Sequence, residues 1–165
     1  MMHEIRKPLQ VYLVEDSPIV QRLLGSAVAA AGAELDGCSD NAQAAIADVS
    51  ALKPDLILID ISLASGTGFD VLKVLQQHRL APAAIKVVLT NHANAEYRDL
   101  SLRLGADRFF DKSSEIPQAL ALINTLAAER RSGSAPLRCV TDPPAGRLGH
   151  SWTNSLPLLG STTYL

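Results

Sequence analysis

Four places in this chain put a chemically competent side chain directly after a strand-like run. Leu56-Ile57-Leu58-Ile59 leads into Asp60, and Val11-Tyr12-Leu13-Val14 into the acid pair Glu15-Asp16. Lys86 to Leu89 leads into Thr90, and Arg108 to Asp111 into Lys112. A short β-rich apolar run without alternation reads as a strand buried on both faces, as in parallel sheets. In open α/β sheets the ligand crevice lies beyond the carboxyl ends of the strands. Three carboxylates meeting at that edge repel one another. A hard divalent cation such as Mg2+ offsets the repulsion and prefers oxygen ligands. Thr90 and Lys112 bring a hydroxyl and an ammonium to the same edge, a set suited to holding a phosphoryl group. Asp60 is then a carboxylate nucleophile of the kind that forms an aspartyl-phosphate.

Repeated strand-helix units must position these groups. Strands are predicted at Gln10 to Val14, Ala33 to Cys38, Asp55 to Asp60, Lys86 to Thr90 and Arg108 to Lys112. Between them, apolar residues recur at helical spacing. Ser17-Pro18 opens the first helix, with Ile19, Val20, Leu23, Leu24, Ala27 and Val28 on its apolar positions and Gly32 at its end. Asn41 to Leu52 is Ala-rich and stops at Pro54. Phe69, Val71, Leu72 and Leu75 mark a third helix. Tyr97, Leu100, Leu102 and Leu104 mark a fourth, closed by Gly105. Ile116 to Arg131 forms the last, with Arg130 and Arg131 complementing its C-terminal dipole. Five such repeats with short connections predict an α/β fold: a flavodoxin-like three-layer sandwich. Its five-stranded parallel sheet takes the order 2-1-3-4-5, which makes the first and third strands neighbours and brings Glu15, Asp16 and Asp60 together.

The totals agree with one domain and a tail. Apolar residues make up 47% of the 165, enough for a core, but aromatics are only 4%, so that core is aliphatic. A net charge of -2 gives no general attraction to nucleic acid or anionic membrane. Cys38 and Cys139 form no disulfide framework or zinc motif. His3, His78, His92 and His150 show no metal spacing and read as surface residues. The N-terminus lacks an apolar signal core, and no apolar run approaches membrane-spanning length, so the expected location is the cytoplasm. Residues 132–165 change to Gly, Pro, Ser and Thr with no apolar period. They are expected to be disordered or loosely docked, with Trp152 and Tyr164 unpacked.

The motifs resemble those of the receiver domain of two-component response regulators. The matching positions are Glu15-Asp16, then Asp60, Gly68 eight residues later, Thr90, and the run from Gly105 to Lys112. Each motif is weak alone, but five in order at this spacing are specific. The resemblance covers one receiver domain at residues 9–131. It implies that Asp60 accepts a phosphoryl group from a sensor histidine kinase or phosphotransfer protein and that the domain then switches a downstream protein target. It further implies Mg2+ held by Asp16, Asp60 and the Ser62 carbonyl, with Glu15 acting through water. Lys112 and Thr90 would contact the phosphoryl oxygens, Lys112 away from the metal ligands. Thr90 would move inward on phosphorylation, followed by Phe109. The implied activity is self-phosphorylation and self-dephosphorylation, with no separate enzyme reaction. Four positions depart from the family: Glu15 for the commoner Asp, Ala64 and Ser113 for Pro, and Asn91 for a small residue. The family's Lys-Pro bond is typically cis, which before a non-proline costs about 2.5–4 kcal/mol. Either the loop carries that strain or Lys112 is held differently.

Taken singly, Asp16 is also a helix N-cap candidate, Asp60 a turn cap, Thr90 an ordinary strand-end residue and Lys112 a solvated lysine. Their convergence favours the site. A receiver-fold binding module not regulated by phosphorylation is the alternative, motivated by Asn91 and Ser113. A haloacid dehalogenase-type phosphatase needs a second Asp two residues after the nucleophile, where Ser62 stands. A flavodoxin is disfavoured because Glu15-Asp16 would repel the flavin phosphate. Without a helix-turn-helix after the last helix, direct nucleic-acid binding is not expected.

Overall fold

The computed structural model describes residues 5–133. Ten elements alternate: β1 (Gln10–Val14), α1 (Pro18–Ala30), β2 (Glu34–Ser39), α2 (Ala42–Leu52), β3 (Leu56–Ile59), α3 (Gly68–Gln77), β4 (Ile85–Thr90), α4 (Ala95–Arg103), β5 (Arg108–Asp111) and α5 (Ile116–Ser132). All strand pairs are parallel, and the order is β2-β1-β3-β4-β5. The fold class, strand order and element sequence are those predicted. Cys139, His150, Trp152, Tyr164 and the expected disorder of the tail beyond Gly133 lie outside the described residues, as does His3.

Every residue of β1, β3 and β4 is buried, which is why their sequences do not alternate. Tyr12, Val14, Ile57, Ile59 and Val88 pack with Val49, Val71, Leu72 and Leu75 of α2 and α3. The intervening strand residues, Val11, Leu13, Leu58 and Val87, face the opposite layer by the period of two. That layer buries Leu24 and Val28 of α1 and Ile123 and Leu126 of α5. β2 is an edge strand, which explains its weak sequence signal: its residues are exposed or half-buried.

The ends of the helices are set by side chains. Ser17 caps α1, its Oγ accepting the Val20 N–H, and Pro18 occupies the first turn. Asp16 is therefore not the cap. Asn41 caps α2 and Asn94 caps α4, each accepting an N–H three residues on. Thr67 and Asp70 form a reciprocal capping box on α3. The pairing of β1 with β2 slips between Val11 and Tyr12. Beside it, a Cβ on Gly37 would meet the Tyr12 ring at 3.0 Å. The ring is fully buried, and its hydroxyl donates to Asp48 Oδ2 at 2.6 Å. Burial first, then Asp48, pushes the phenol well above its usual range, so it remains a donor. Tyr12→Phe should lower stability by about 1.5–3 kcal/mol, the net worth of a hydrogen bond to a carboxylate. Urea denaturation checks this through the midpoint, with an unchanged m-value.

Candidate functional site

Register carries the acids to one edge. Val14 pairs with Ile59, so the residues that follow, Glu15 and Asp60, leave the sheet side by side. The Asp60 N–H donates to Val14 O at 2.9 Å, and Glu15 N–H to Ser39 O at 2.9 Å. Across the sheet Ile59 pairs with Val88, and Thr90 with Asp111. One carboxylate oxygen from each of Glu15, Asp16 and Asp60 lies within 4.8 Å of the others. Glu15 and Asp60 are buried, and Asp16 is exposed. These acids, Ser17, Ser62, Asn91, His92 and Lys112 line a cavity of 230 Å³.

Lys112 ties the acids together. Its Nζ donates to Asp60 Oδ2 at 2.8 Å and also to Glu15 Oε2. Its ammonium is almost wholly buried, as are both carboxylates. Burial alone would lower the lysine's pKa; the hydrogen bonds and charges of Asp60 and Glu15 outweigh it and raise it. Glu15 is pushed up by desolvation, against the opposing pull of Lys112 and the Ser17 N–H on Oε1 at 3.0 Å. The sequence reading kept Lys112 away from the metal ligands. The structure corrects this: its ammonium bonds Glu15 and Asp60, two of the residues expected to serve the metal. The reason is charge: two buried carboxylates need a nearby cation, and Lys112 is the one at hand.

The loop after β3 folds back on Asp60. Asp60 Oδ1 accepts the Ser62 N–H at 3.4 Å. The Gly68 N–H reaches Ile61 O at 2.9 Å, and a Cβ on Gly68 would lie 2.4 Å from the Asp60 carbonyl oxygen. Only glycine allows α3 to start this close to the nucleophile candidate. Ala64 stands where the family has Pro, and its N–H donates to Asp40 O at 2.9 Å, a bond proline could not make. At the other departure, no peptide bond among the described residues is cis, so Lys112-Ser113 is trans. Lys112 is held by its N–H on Thr90 O at 2.9 Å and by a turn in which Ser113 N–H and Oγ both bond Asp111 Oδ1.

Thr90 reaches the predicted edge but does not line the cavity. It is fully buried, and its Oγ1 accepts the His92 N–H at 3.2 Å. Phe109 is buried beneath Arg98, whose guanidinium lies 4.7 Å from the ring centroid and donates to Phe109 O at 3.2 Å. Arg98 also pairs with Glu115 at 3.5 Å. His92 and Val20 are lining residues that sequence reasoning missed. In the sequence Val20 belongs to the α1 face and His92 reads as surface; His92 is indeed exposed, and it also lines the cavity. The sole signal for His92 was its place two residues past Thr90.

Sheet order, register and acid cluster together define an open α/β domain with an acidic pocket at the ends of its strands. The family described as response regulator receiver domain matches residues 11–124. The chain belongs to that family, and its role is that of a phosphoacceptor receiver. It is 31% identical over 109 residues to protein-glutamate methylesterase/protein-glutamine glutaminase 2 of Vibrio vulnificus, covering 66% of this chain and 31% of that protein. It is 25% identical over 126 residues to the KDP operon transcriptional regulatory protein KdpE of Escherichia coli, covering 76% and 54%. The chain thus spans only a third to about half of these relatives. Among solved structures, it matches a CheY-like response regulator receiver domain protein from Methanospirillum hungatei with a TM-score of 0.66 at 22% identity. That match covers 78% of this chain and all of the other. Among the described residues, no helix is long and apolar enough to cross a membrane.

Lys112→Ala leaves Glu15 and Asp60 without their counter-charge and removes a cation that competes for the same oxygens. Divalent-metal affinity should rise by roughly tenfold, equivalent to about 1.4 kcal/mol. Isothermal titration with Mg2+ or Mn2+ measures this, and weaker binding in the variant would contradict the placement of Lys112.

Proposed function

We propose that Asp60 is the phosphoacceptor of this receiver and that Glu15, Asp16, Asp60 and the Ser62 carbonyl serve a Mg2+ ion. The observation that carries the reading is the charge at the cavity. Three carboxylates converge on it with one ammonium, leaving an excess of two negative charges. Asp16 has no hydrogen bond or ion pair among the described residues, so an all-oxygen corner is free to take a hard cation. When bound, Mg2+ supplies charge neutralisation at the phosphoryl oxygens.

The residues divide the remaining work. An Asp60 carboxylate oxygen attacks the phosphorus of a phosphohistidine donor, and the donor's imidazole nitrogen leaves with the bonding pair. Lys112, already on Asp60 Oδ2, follows the charge onto the phosphoryl oxygens. Thr90, whose Oγ1 only accepts in the His92 contact, donates its O–H to a phosphoryl oxygen, and Phe109 follows. The donor is a sensor histidine kinase or phosphotransfer protein, and the output is altered binding of a downstream protein. These residues catalyse only the gain and loss of their own phosphoryl group. The domain itself contacts neither nucleic acid nor membrane, and it acts in the cytoplasm.

Acetyl phosphate with Mg2+ should label Asp60 alone, as an acid-labile adduct mapped by mass spectrometry. Labelling of Asp60→Asn at the wild-type level would overturn the assignment.

Asn91 lines the cavity beside Asp60 and Lys112, where the family has a small residue. Its amide narrows the path of the in-line water that hydrolysis of the acyl phosphate requires. The phosphorylated form should therefore be long-lived, and Asn91→Ala should lose phosphate several-fold faster in Mg2+. Equal or slower loss in that variant rejects the gate.

A further inference from the structure

The sheet edge opposite Asp60 carries a second hollow, larger than the first: 340 Å³ against 230 Å³. The loops that enter β3 and β4 form it, with Lys53, Pro54 and Asp55 on one side and the segment from Arg79 to Ala84 on the other. Its volume is in the range of small-molecule sites.

Backbone strain gathers there. Among the described residues, three non-glycine residues have positive φ: Lys53 at 51°, Arg79 at 50° and Ala81 at 44°. All three line this hollow. Lys53 caps α2 in the left-handed conformation, and Arg79 directly follows the cap of α3, where such geometry is common though usually given to glycine. Ala81 caps nothing. It precedes Pro82, a position that favours extended backbone, yet it is held left-handed. Conformations of this cost persist where the surroundings fix them, and they cluster at ligand sites.

Charge decides what the hollow takes. Asp55 is already compensated: Oδ2 accepts the Gln10 N–H at 2.9 Å, and Oδ1 pairs with Arg130 at 3.4 Å. Some terminal carbonyls of α2 and α3 are also taken, Val49 O by the Lys53 N–H, Gln76 O by Arg79 and Leu75 O by Leu80. Lys53 and Arg79 are exposed, and neither side chain has a hydrogen bond or ion pair among the described residues. The rim therefore offers two free cations over an apolar floor of Pro54, Leu80 and Ala84.

We propose that this hollow binds a small amphipathic anion. Its apolar body rests on Pro54, Leu80 and Ala84, and its carboxylate, sulfonate or phosphate lies between Lys53 and Arg79. The site stands at the entry to the two strands that deliver Asp60 and Thr90, joined there by the Ile85 N–H on Asp55 O at 2.9 Å.

The test uses the full chain and two fluorescent probes of one shape: anilinonaphthalene sulfonate and its uncharged counterpart phenylnaphthylamine. The sulfonate should bind at one saturable site, and the neutral probe about tenfold more weakly. Lys53→Gln with Arg79→Gln should weaken the sulfonate by roughly fivefold, the scale of two partly exposed ion pairs. Lys53→Gln alone is the cleaner single change, because Arg79 also lines a neighbouring hollow of 190 Å³ with Gln76 and Lys86. Amide shifts should centre on residues 53–55 and 79–84. The proposal is overturned by unsaturable binding, by equal affinity for both probes, by an unchanged double variant, or by shifts centred on the exposed Ile19 and Leu23 of α1. The readout is probe binding, so it stands or falls independently of phosphorylation at Asp60.

Discussion

One ammonium holds the site edge together. Lys112 comes from the loop after β5, yet it bonds acids that follow β1 and β3. Two buried carboxylates this close would otherwise force one of them to take up a proton. A buried ion set of this kind is weak evidence of stability, because desolvation offsets most of the attraction. Its value is in position. It fixes three loops against one another and leaves Asp16, which needs no such partner, facing solvent.

That arrangement makes demands on the backbone around it. Glu15 and Asp60 leave the sheet together only because β1 and β3 are neighbours in register. This requires the chain to cross over from β2 before β3 is laid down, which a right-handed strand-helix-strand path allows. The start of α3 must also come within a methyl group's reach of Asp60, and Gly68 permits it. Ala64 and Ser113 then secure their loops with N–H groups that a proline would lack. The two departures from the family pattern are in this sense coherent: each replaces a rigid ring by a hydrogen bond.

The sequence made the strands at the centre legible, since Leu56 to Ile59 and Gln10 to Val14 carry nearly continuous apolar runs. The edge strand β2 was harder to place. It begins one residue later than Ala33, and its pairing with β1 slips beside Tyr12. Asp60, Glu15, Asp16 and Ser62 were readable because strand ends converge on one side. The partner of Lys112 was not. Residue type and position bring an ammonium to the edge, but which carboxylates it chooses depends on the burial of each. His92 was invisible for a similar reason: nothing in its spacing marks a loop residue that turns back over the cavity. The hollow at Lys53 and Arg79 depends on backbone angles, which sequence alone does not report.

Thr90 poses the remaining question of balance. In this structure its hydroxyl accepts the His92 N–H, a bond between neutral groups worth about 0.5–1.5 kcal/mol net. A hydrogen bond to a charged phosphoryl oxygen is worth about 1.5–3 kcal/mol. The two bonds do not compete, because the hydroxyl accepts with a lone pair and donates with its hydrogen. In the proposed switch the Thr90 O–H would therefore gain a phosphoryl contact without giving up the His92 bond. Against it stands whatever holds the aromatic beyond, and Phe109 is pinned by the Arg98 guanidinium stacked on its ring and bonded to its carbonyl. A cation over an aromatic face at a partly exposed site contributes about 0.5–1 kcal/mol. The stacking contribution is the smaller of the two. A switch of the proposed kind would therefore be tipped by the single added charge, with Arg98 setting the resistance it must overcome.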